Sequence, residues 1–411
     1  MGQEKERIVI LGAGHAGGSA VAFLRQYGWP GAISLIGAEP IPPYHRPPLS
    51  KAWLKGETDA ASLALRPEKF YADSNIDLRL GTRAAAINRA AKTVLLATGE
   101  VLPYDHLILA LGARARKLAI SGADLAGILE LRTAADADRL KAAIGPGRTL
   151  AIIGGGYIGL EAAASARALG AAVAIIEREP RLLARVASPL LSDFFLGFHQ
   201  SNGVTLELNA GVAALEGQGG QVRSVRLSDG RMIPCDAALI GVGAVANDEL
   251  ARACGLPCNG GIDVDLAART QDPAIYAIGD CSHRPLPHYN RHFRLESVPN
   301  AIEQARQAAA SLCARPPPAP EIPWFWSDQY DLRLQIAGLA FDACETILRG
   351  KPENATFAVF HLAPDATIQA VEAVNAAPEF VAGRLLIAKR RPVSRERLAD
   401  VSVSMKDLLE T

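Results

Sequence analysis

The chain has 411 residues, 49% hydrophobic and 21% charged, which suits a globular protein of two or three domains. Its formal net charge of zero argues against a polyanion-binding role for the chain as a whole. No apolar run approaches the roughly 20 residues that span a bilayer, and Met1–Arg7 is polar with no signal-peptide core behind it, so a soluble cytoplasmic protein is expected.

The first element is a short apolar strand ending at Gly12. It enters a glycine turn, Gly12-Ala-Gly14-His15-Ala16-Gly17, followed by a helix pattern over 18–27 and a strand over 33–36. Glu39 lies just beyond that strand. G-x-G-x-x-G between a strand and a helix, with an acid further on, has the chemistry of a dinucleotide site. The glycines let the backbone approach a pyrophosphate, the helix N-terminus offers N–H groups, and the acid accepts hydrogen bonds from ribose hydroxyls. His15 reads as a tolerated side chain at the helix start rather than a base.

Residues 40–51 hold five prolines, which predict a stiff, extended loop carrying His45, Arg46 and Lys51. Ser50 is positioned to cap a short helix over 52–55. Short strands then alternate with turns over 76–111, with a hairpin turn at Thr98-Gly99-Glu100. The apolar run from Leu107 returns to the sheet. A helix is predicted over 134–143.

Residues 149–179 repeat the opening pattern. An apolar strand runs into Gly154, Gly156 and Gly159, a helix over 160–169 stops at Gly170, and a second strand over 172–176 ends at Glu177. A helix over 189–202 and short strands around 204–240 follow, closed by an apolar run to Gly243. The chain therefore repeats glycine turn, helix, β-meander and closing strand. Two units mean two dinucleotide sites. A later apolar strand delivers Gly279 and Asp280 at its carboxyl end, where open α/β sheets bind ligands. A helix over 300–314 carries Arg306, Pro316–Pro318 form a linker, and the remainder reads as a small α+β domain. The six cysteines form no C-x-x-C pair, so no metal site is expected.

Six stretches together carry a family resemblance: Gly12–Gly17, Pro47–Lys51, Gly154–Glu161, Ile278–Asp280, Glu296–Asn300 and Trp324–Tyr330. Along nearly its whole length the chain resembles the putidaredoxin-reductase-like, FAD-dependent NADH:ferredoxin reductases. These serve bacterial haem-thiolate monooxygenases and aromatic-ring dioxygenases. The resemblance implies an α/β, glutathione-reductase-like fold with two Rossmann-like nucleotide-binding domains and a C-terminal α+β domain. By position, 1–114 and 245–321 would form the FAD domain, 115–244 the NADH domain, and 322–411 the C-terminal domain.

The resemblance also implies the site. FAD would contact Gly12, Gly14, Ala16, Gly17, Ala38 or Glu39, Arg46, Lys51, Ala84, Ala110, Gly112, Arg132, Gly279, Asp280, Glu296, Ser297, Val298 and Trp326. Ala110-Leu111-Gly112 stands where the family usually has Ala-Thr-Gly. NADH would lie on Gly154, Gly156, Tyr157, Ile158, Glu177 and Gly243. Lys51 and Glu161 would form the catalytic pair at the flavin; a plainer role is a structural tie. Nicotinamide supplies hydride and flavin releases single electrons, so no nucleophile or acid–base triad is required. Glu177 favours NADH, since a 2′-phosphate would meet a like charge, although Arg178, Arg181 and Arg185 stand close in sequence. The implied partner is a small acidic [2Fe–2S] ferredoxin, docked near Arg306, Arg384 and Lys406, each of which also reads as an ordinary surface charge. A monomer or weak homodimer is expected.

No cysteine precedes Cys235, which weighs against the disulfide-reductase and cysteine-peroxidase chemistries of the same fold. Two rivals remain: a flavoprotein binding module that senses NADH, and an electron transferase for a rubredoxin or nitrite-reductase partner.

Overall fold

A computed structural model describes residues 6–410. Two compact units are present. The first comprises 1–45, 60–114 and 245–323; the second comprises 46–59, 115–244 and 324–411.

The first unit is built on a parallel five-stranded sheet in the order Ile275–Ala277, His106–Leu109, Ile8–Leu11, Ile33–Ile36, Ile76–Arg79. Its central strand, Ile8–Leu11, is buried on both faces, so it reads as a continuous apolar run rather than an alternating one. Helix His15–Gln26 packs with helix Val298–Leu312 through Ala16, Ala20 and Leu24 against Ala301, Ala305 and Ala308. A three-stranded meander, Ala84–Asn88, Thr93–Leu96 and Val101–Pro103, turns at Gly99 with φ +90°.

The second unit repeats this plan. Its parallel sheet runs Ile128–Leu129, Ala237–Ile240, Thr149–Ile153, Ala172–Ile176, Val204–Glu207. A second meander spans Val212–Gln218, Gln221–Leu227 and Met232–Pro234. Thr133 caps helix Ala134–Ala143 in a capping box with Asp136, which satisfies donors at both ends of the first turn. The unit also holds an antiparallel sheet in the order Trp324–Gln329, Leu332–Gly338, Ile368–Val374, Thr356–Leu362, Glu345–Lys351, with helix Ala377–Lys389 against it. Leu334, Ile336, Phe357 and Val359 of that sheet share one apolar core with Leu150, Ile152 and Leu160.

Three expectations are corrected. The helices after the glycine turns start at His15 and Tyr157, three residues before the predicted 18 and 160. Gly14 and Gly156 are themselves the N-caps, so Gly17 and Gly159 lie inside the first helical turn. Pro47–Ser50 is a 3-10 helix rather than extended chain, because the fixed proline φ suits a first helical turn. Ser50 does not cap helix Ala52–Lys55; Lys51 is its N-cap, and the Ser50 hydroxyl is drawn to a buried carboxylate instead.

Candidate functional site

Each glycine turn is fixed by its own backbone. Gly12 donates its N–H to the Ile36 carbonyl and Gly154 donates to the Ile176 carbonyl, both at 2.8 Å. Both glycines have φ +112°. A Cβ on Gly12 would lie 2.1 Å from the Ala110 carbonyl oxygen, and one on Gly154 would lie 2.5 Å from that of Gly241. The third glycine is equally constrained: a Cβ on Gly17 or Gly159 would meet the carbonyl oxygen of its own turn at 1.9 or 2.3 Å. Gly156 differs, since a Cβ there would meet nothing within 4 Å. That open backbone, at the start of a helix with no side-chain cap, fits the approach of a pyrophosphate.

The acids are placed unequally. Glu177 directly follows its strand and accepts N–H bonds from Gly155 at 2.6 Å and Glu179 at 2.8 Å. Its carboxylate is therefore held at the turn. Glu39 stands further from its strand and accepts the Tyr44 hydroxyl at 2.6 Å, with Ala38 exposed beside it. Of the three arginines near Glu177, Arg181 donates to the Ala184 and Ala187 carbonyls and to Ser192. Arg178 pairs with Glu179 at 2.8 Å, and Arg185 lies beside Gly243, which has φ +100°. Tyr157 rests edge-on against Phe325, with ring centroids 4.8 Å apart, while Ile158 is exposed.

In the first unit, Gly279 has φ +75° and sits between Ala16 and Ala301. Its N–H donates to Gln304 Oε1 at 2.8 Å. Asp280 follows at the carboxyl end of the Ile275–Ala277 strand, and its carbonyl accepts Arg294. Glu296 forms an ion pair with Arg294, and Ser297 caps helix Val298–Leu312 by accepting the Asn300 N–H. Ala84 opens the meander, and the Gly112 carbonyl accepts Asn247 N–H at 3.0 Å. His15 begins its helix, buried, with Nε2 3.3 Å from His45 Nδ1.

In the second unit, Arg46 donates to the Arg132 carbonyl, and Trp326 lies beside Trp324 with ring centroids 5.7 Å apart. Lys51 Nζ is 2.6 Å from Glu161 Oε2, and Glu161 is only 3% exposed. Two further donors reach this carboxylate: Ser50 Oγ at 2.5 Å and Ser327 Oγ at 2.6 Å. A buried carboxylate needs such compensation, since either partner of the ion pair alone would be costly to bury. Sequence reading gave Ser50 a capping role and missed Ser327 and Gln304. The serines stand within stretches that carried the resemblance, so position was the available signal.

The three basic residues expected at a docking face are dispersed in character. Arg306 lies over the Phe23 ring and 3.4 Å from Glu321, Arg384 over Trp324 and Phe380, and Lys406 is largely exposed. Burial pushes the Cys235 and Cys281 thiols up to about 11, which makes them poor nucleophiles. No metal-holding group of His, Cys, Asp and Glu occurs among the described residues, and no helix among them is long and apolar enough to cross a membrane.

Two glycine-turn units, each with a parallel sheet, a meander and an acid, define a flavin- and pyridine-nucleotide-dependent oxidoreductase fold. The model of the pyridine nucleotide-disulphide oxidoreductase family matches residues 6–305, and that of the reductase C-terminal domain matches 324–409. The chain belongs to the pyridine nucleotide-disulphide oxidoreductase family, with FAD and NAD(H) as its cofactors. It is 50% identical to the probable ferredoxin reductase CtmF of Castellaniella defragrans, covering 98% of each chain. It is 40% identical to putidaredoxin reductase CamA of Pseudomonas putida, over 98% of this chain and 97% of the other. The reductase in the solved covalent putidaredoxin reductase–putidaredoxin complex is 39% identical, with a TM-score of 0.97 and 99% of each chain covered.

Proposed function

We propose that this protein is an NADH:ferredoxin reductase that passes electrons through FAD to a [2Fe–2S] ferredoxin, which in turn supplies a haem-thiolate monooxygenase or an aromatic-ring dioxygenase. The observation that carries the reading is the 50% identity to a probable ferredoxin reductase along 98% of the chain. Bound FAD and NADH supply the redox chemistry: acceptance of a hydride and release of single electrons.

The chain's own residues hold and orient. Gly12, Gly14, Ala16 and Gly17 would cradle the FAD pyrophosphate, with Glu39 at the ribose and Asp280 at the polyol. Gly154, Gly156 and Glu177 would hold NADH in the same way. Lys51, held by Glu161, would supply a positive charge to the flavin. Glu177 supports the choice of NADH: its carboxylate is tied to the turn by two N–H bonds, and Arg181 is committed to carbonyls and a serine. A 2′-phosphate would therefore meet a fixed negative charge. We further assign 115–244 and 322–411 to separate domains, a cytoplasmic location, and a ferredoxin contact that includes Arg306, Arg384 and Lys406.

Anaerobic mixing with NADH tests the reading. Flavin bleaching followed by reduction of an added [2Fe–2S] ferredoxin is expected. Equal turnover with NADPH would remove the nucleotide assignment.

A further inference from the structure

The Lys51–Glu161 pair is the end of a longer buried chain of hydrogen bonds. Strand Trp324–Gln329 alternates faces, so Ser327 and Gln329 point the same way, and both are buried. Ser327 Oγ donates to Glu161 Oε1 at 2.6 Å. The same oxygen accepts Gln329 Nε2 at 3.2 Å. Gln329 Oε1 in turn lies 2.8 Å from Nε2 of His199, a residue 0% exposed near the end of helix Pro189–Ser201.

The chemistry of each group sets the direction of the chain. An amide oxygen can only accept, so His199 carries its proton on Nε2 and donates. Its Nδ1 is buried without a partner among the described residues, and as a bare lone pair it is less costly there than an unpaired N–H. Burial also holds the His199 pKa below its ordinary value, which keeps the ring neutral and limits it to one donor. With Gln329 Oε1 occupied, its Nε2 donates to Ser327. The single Ser327 hydroxyl hydrogen is then free for Glu161. On the other oxygen, Ser50 and Lys51 both donate. Every hydrogen bond in the chain points toward one carboxylate.

We propose that Ser327, oriented by Gln329 and His199, is a positioning residue that fixes the Glu161 carboxylate and through it the Lys51 ammonium for reduction of the flavin. This rests on the reading that Lys51 faces the flavin. Among the described residues, the other acceptors of Lys51 Nζ are weak: the Pro47 carbonyl at 3.3 Å and Ser50 Oγ at 3.4 Å. A carboxylate left free to rotate would therefore carry the ammonium with it. The effect expected for a lost hydrogen bond to a charged group is on the order of tenfold or more in the distribution of Lys51 positions.

The test uses the holoenzyme and three variants. Ser327→Ala removes the hydroxyl, and Ser327→Thr keeps it. Gln329→Glu keeps the volume but offers Ser327 an acceptor instead of a donor, so the hydroxyl turns away from Glu161. Stopped-flow reduction by NADH separates the limiting rate from the NADH dissociation constant. Acylation of Lys51 by a lysine reagent, read by mass spectrometry without NADH, reports its position independently of turnover. For Ser327→Ala we expect a limiting rate lower by on the order of tenfold, unchanged NADH affinity, and faster Lys51 labelling. Gln329→Glu should mimic it, and Ser327→Thr should behave as wild type. Wild-type rates and labelling in both Ser327→Ala and Gln329→Glu would overturn the proposal, and so would Ser327→Thr matching Ser327→Ala. If Ser327→Ala fails to fold, Gln329→Glu against Ser327→Thr still decides. Failure of wild-type enzyme to be reduced by NADH would instead count against the functional reading.

Discussion

The two glycine-turn units share a plan and differ in what surrounds it. In both, the first and third glycines are demanded by carbonyl oxygens of the scaffold itself, at would-be Cβ distances of 1.9–2.5 Å. Beyond the backbone, the units diverge. The first starts its helix with buried His15 against His45 and sets Glu39 away from the strand, on Tyr44. The second starts with Tyr157 and exposed Ile158, and ties Glu177 straight into the turn. Even one edge strand differs in origin: Ile275–Ala277 comes after the other strands of its sheet in sequence, whereas Ile128–Leu129 precedes the others of its own. The glycines thus build the turn, and the proposed nucleotide choice is assigned to the side chains around it.

The strongest way to break the comparison is to alter one turn at a time. Gly12→Ala forces a Cβ against Ala110 at a positive φ, which costs about 1–3 kcal/mol in backbone strain before the clash is counted. Purified Gly12→Ala protein should lack flavin absorbance and melt earlier. Gly154→Ala should retain its flavin and lose NADH binding, read by stopped-flow titration. Loss of flavin in both variants would mean that the turns do not act separately.

A smaller effect is expected at the acid of the second unit. Glu177→Ala removes both backbone anchors and the negative charge. The ratio of kcat/KM for NADPH over NADH should rise by about tenfold to a hundredfold, corresponding to one charged hydrogen-bonding group. The equivalent change at Glu39 should leave that ratio unaltered.

His199 offers a pH-dependent contrast within the second unit. Burial lowers its folded pKa below the ordinary value of about 6.5, so the unfolded chain binds the extra proton first. The stabilising contribution is complete above about pH 6.5 and is lost as pH falls toward the folded pKa, by up to about 1.4 kcal/mol per pH unit. Thermal melts of wild type and His199→Gln at pH 5 and 7.5 should differ, with the shallower acid loss in the variant. Parallel curves would contradict this.

The smallest effects belong to the charges proposed for docking. Arg384→Ala and Lys406→Ala should each lower kcat/KM for ferredoxin by about two- to fivefold at low salt, and less as salt is added. Arg306→Ala should do less than Lys406→Ala, since Arg306 is less exposed and Glu321 stands 3.4 Å from it, against 3.8 Å between Lys406 and Glu410. An absence of salt dependence in the wild type would remove the steering argument.

Much of this arrangement was legible in the sequence because it is local. A strand, three glycines, a helix pattern and an acid fall within about thirty residues, and each has a steric or electrostatic reason visible from its neighbours. The helix starts were misplaced because Gly14 and Gly156 look like loop but serve as caps. Short elements such as Ala60–Leu63, Glu68–Asp73 and Ile128–Leu129 show too little periodicity to be read. The Lys51–Glu161 pair was expected, but the two serines on that carboxylate were illegible for another reason. Ser50 lies 111 residues before it and Ser327 lies 166 after, and nothing in a serine announces which distant carboxylate it will meet. Ser50 was read from its nearest helix, and the tertiary partner prevailed.

The most direct test of the central claim is a single anaerobic mixing experiment. The flavoprotein is combined with a [2Fe–2S] ferredoxin and then with NADH or NADPH, while flavin and iron–sulfur absorbance are followed separately. The account predicts rapid flavin bleaching with NADH, slow bleaching with NADPH, and subsequent reduction of the ferredoxin. Flavin reduction by NADH with the ferredoxin left oxidised would contradict it and favour a nucleotide-sensing binding module.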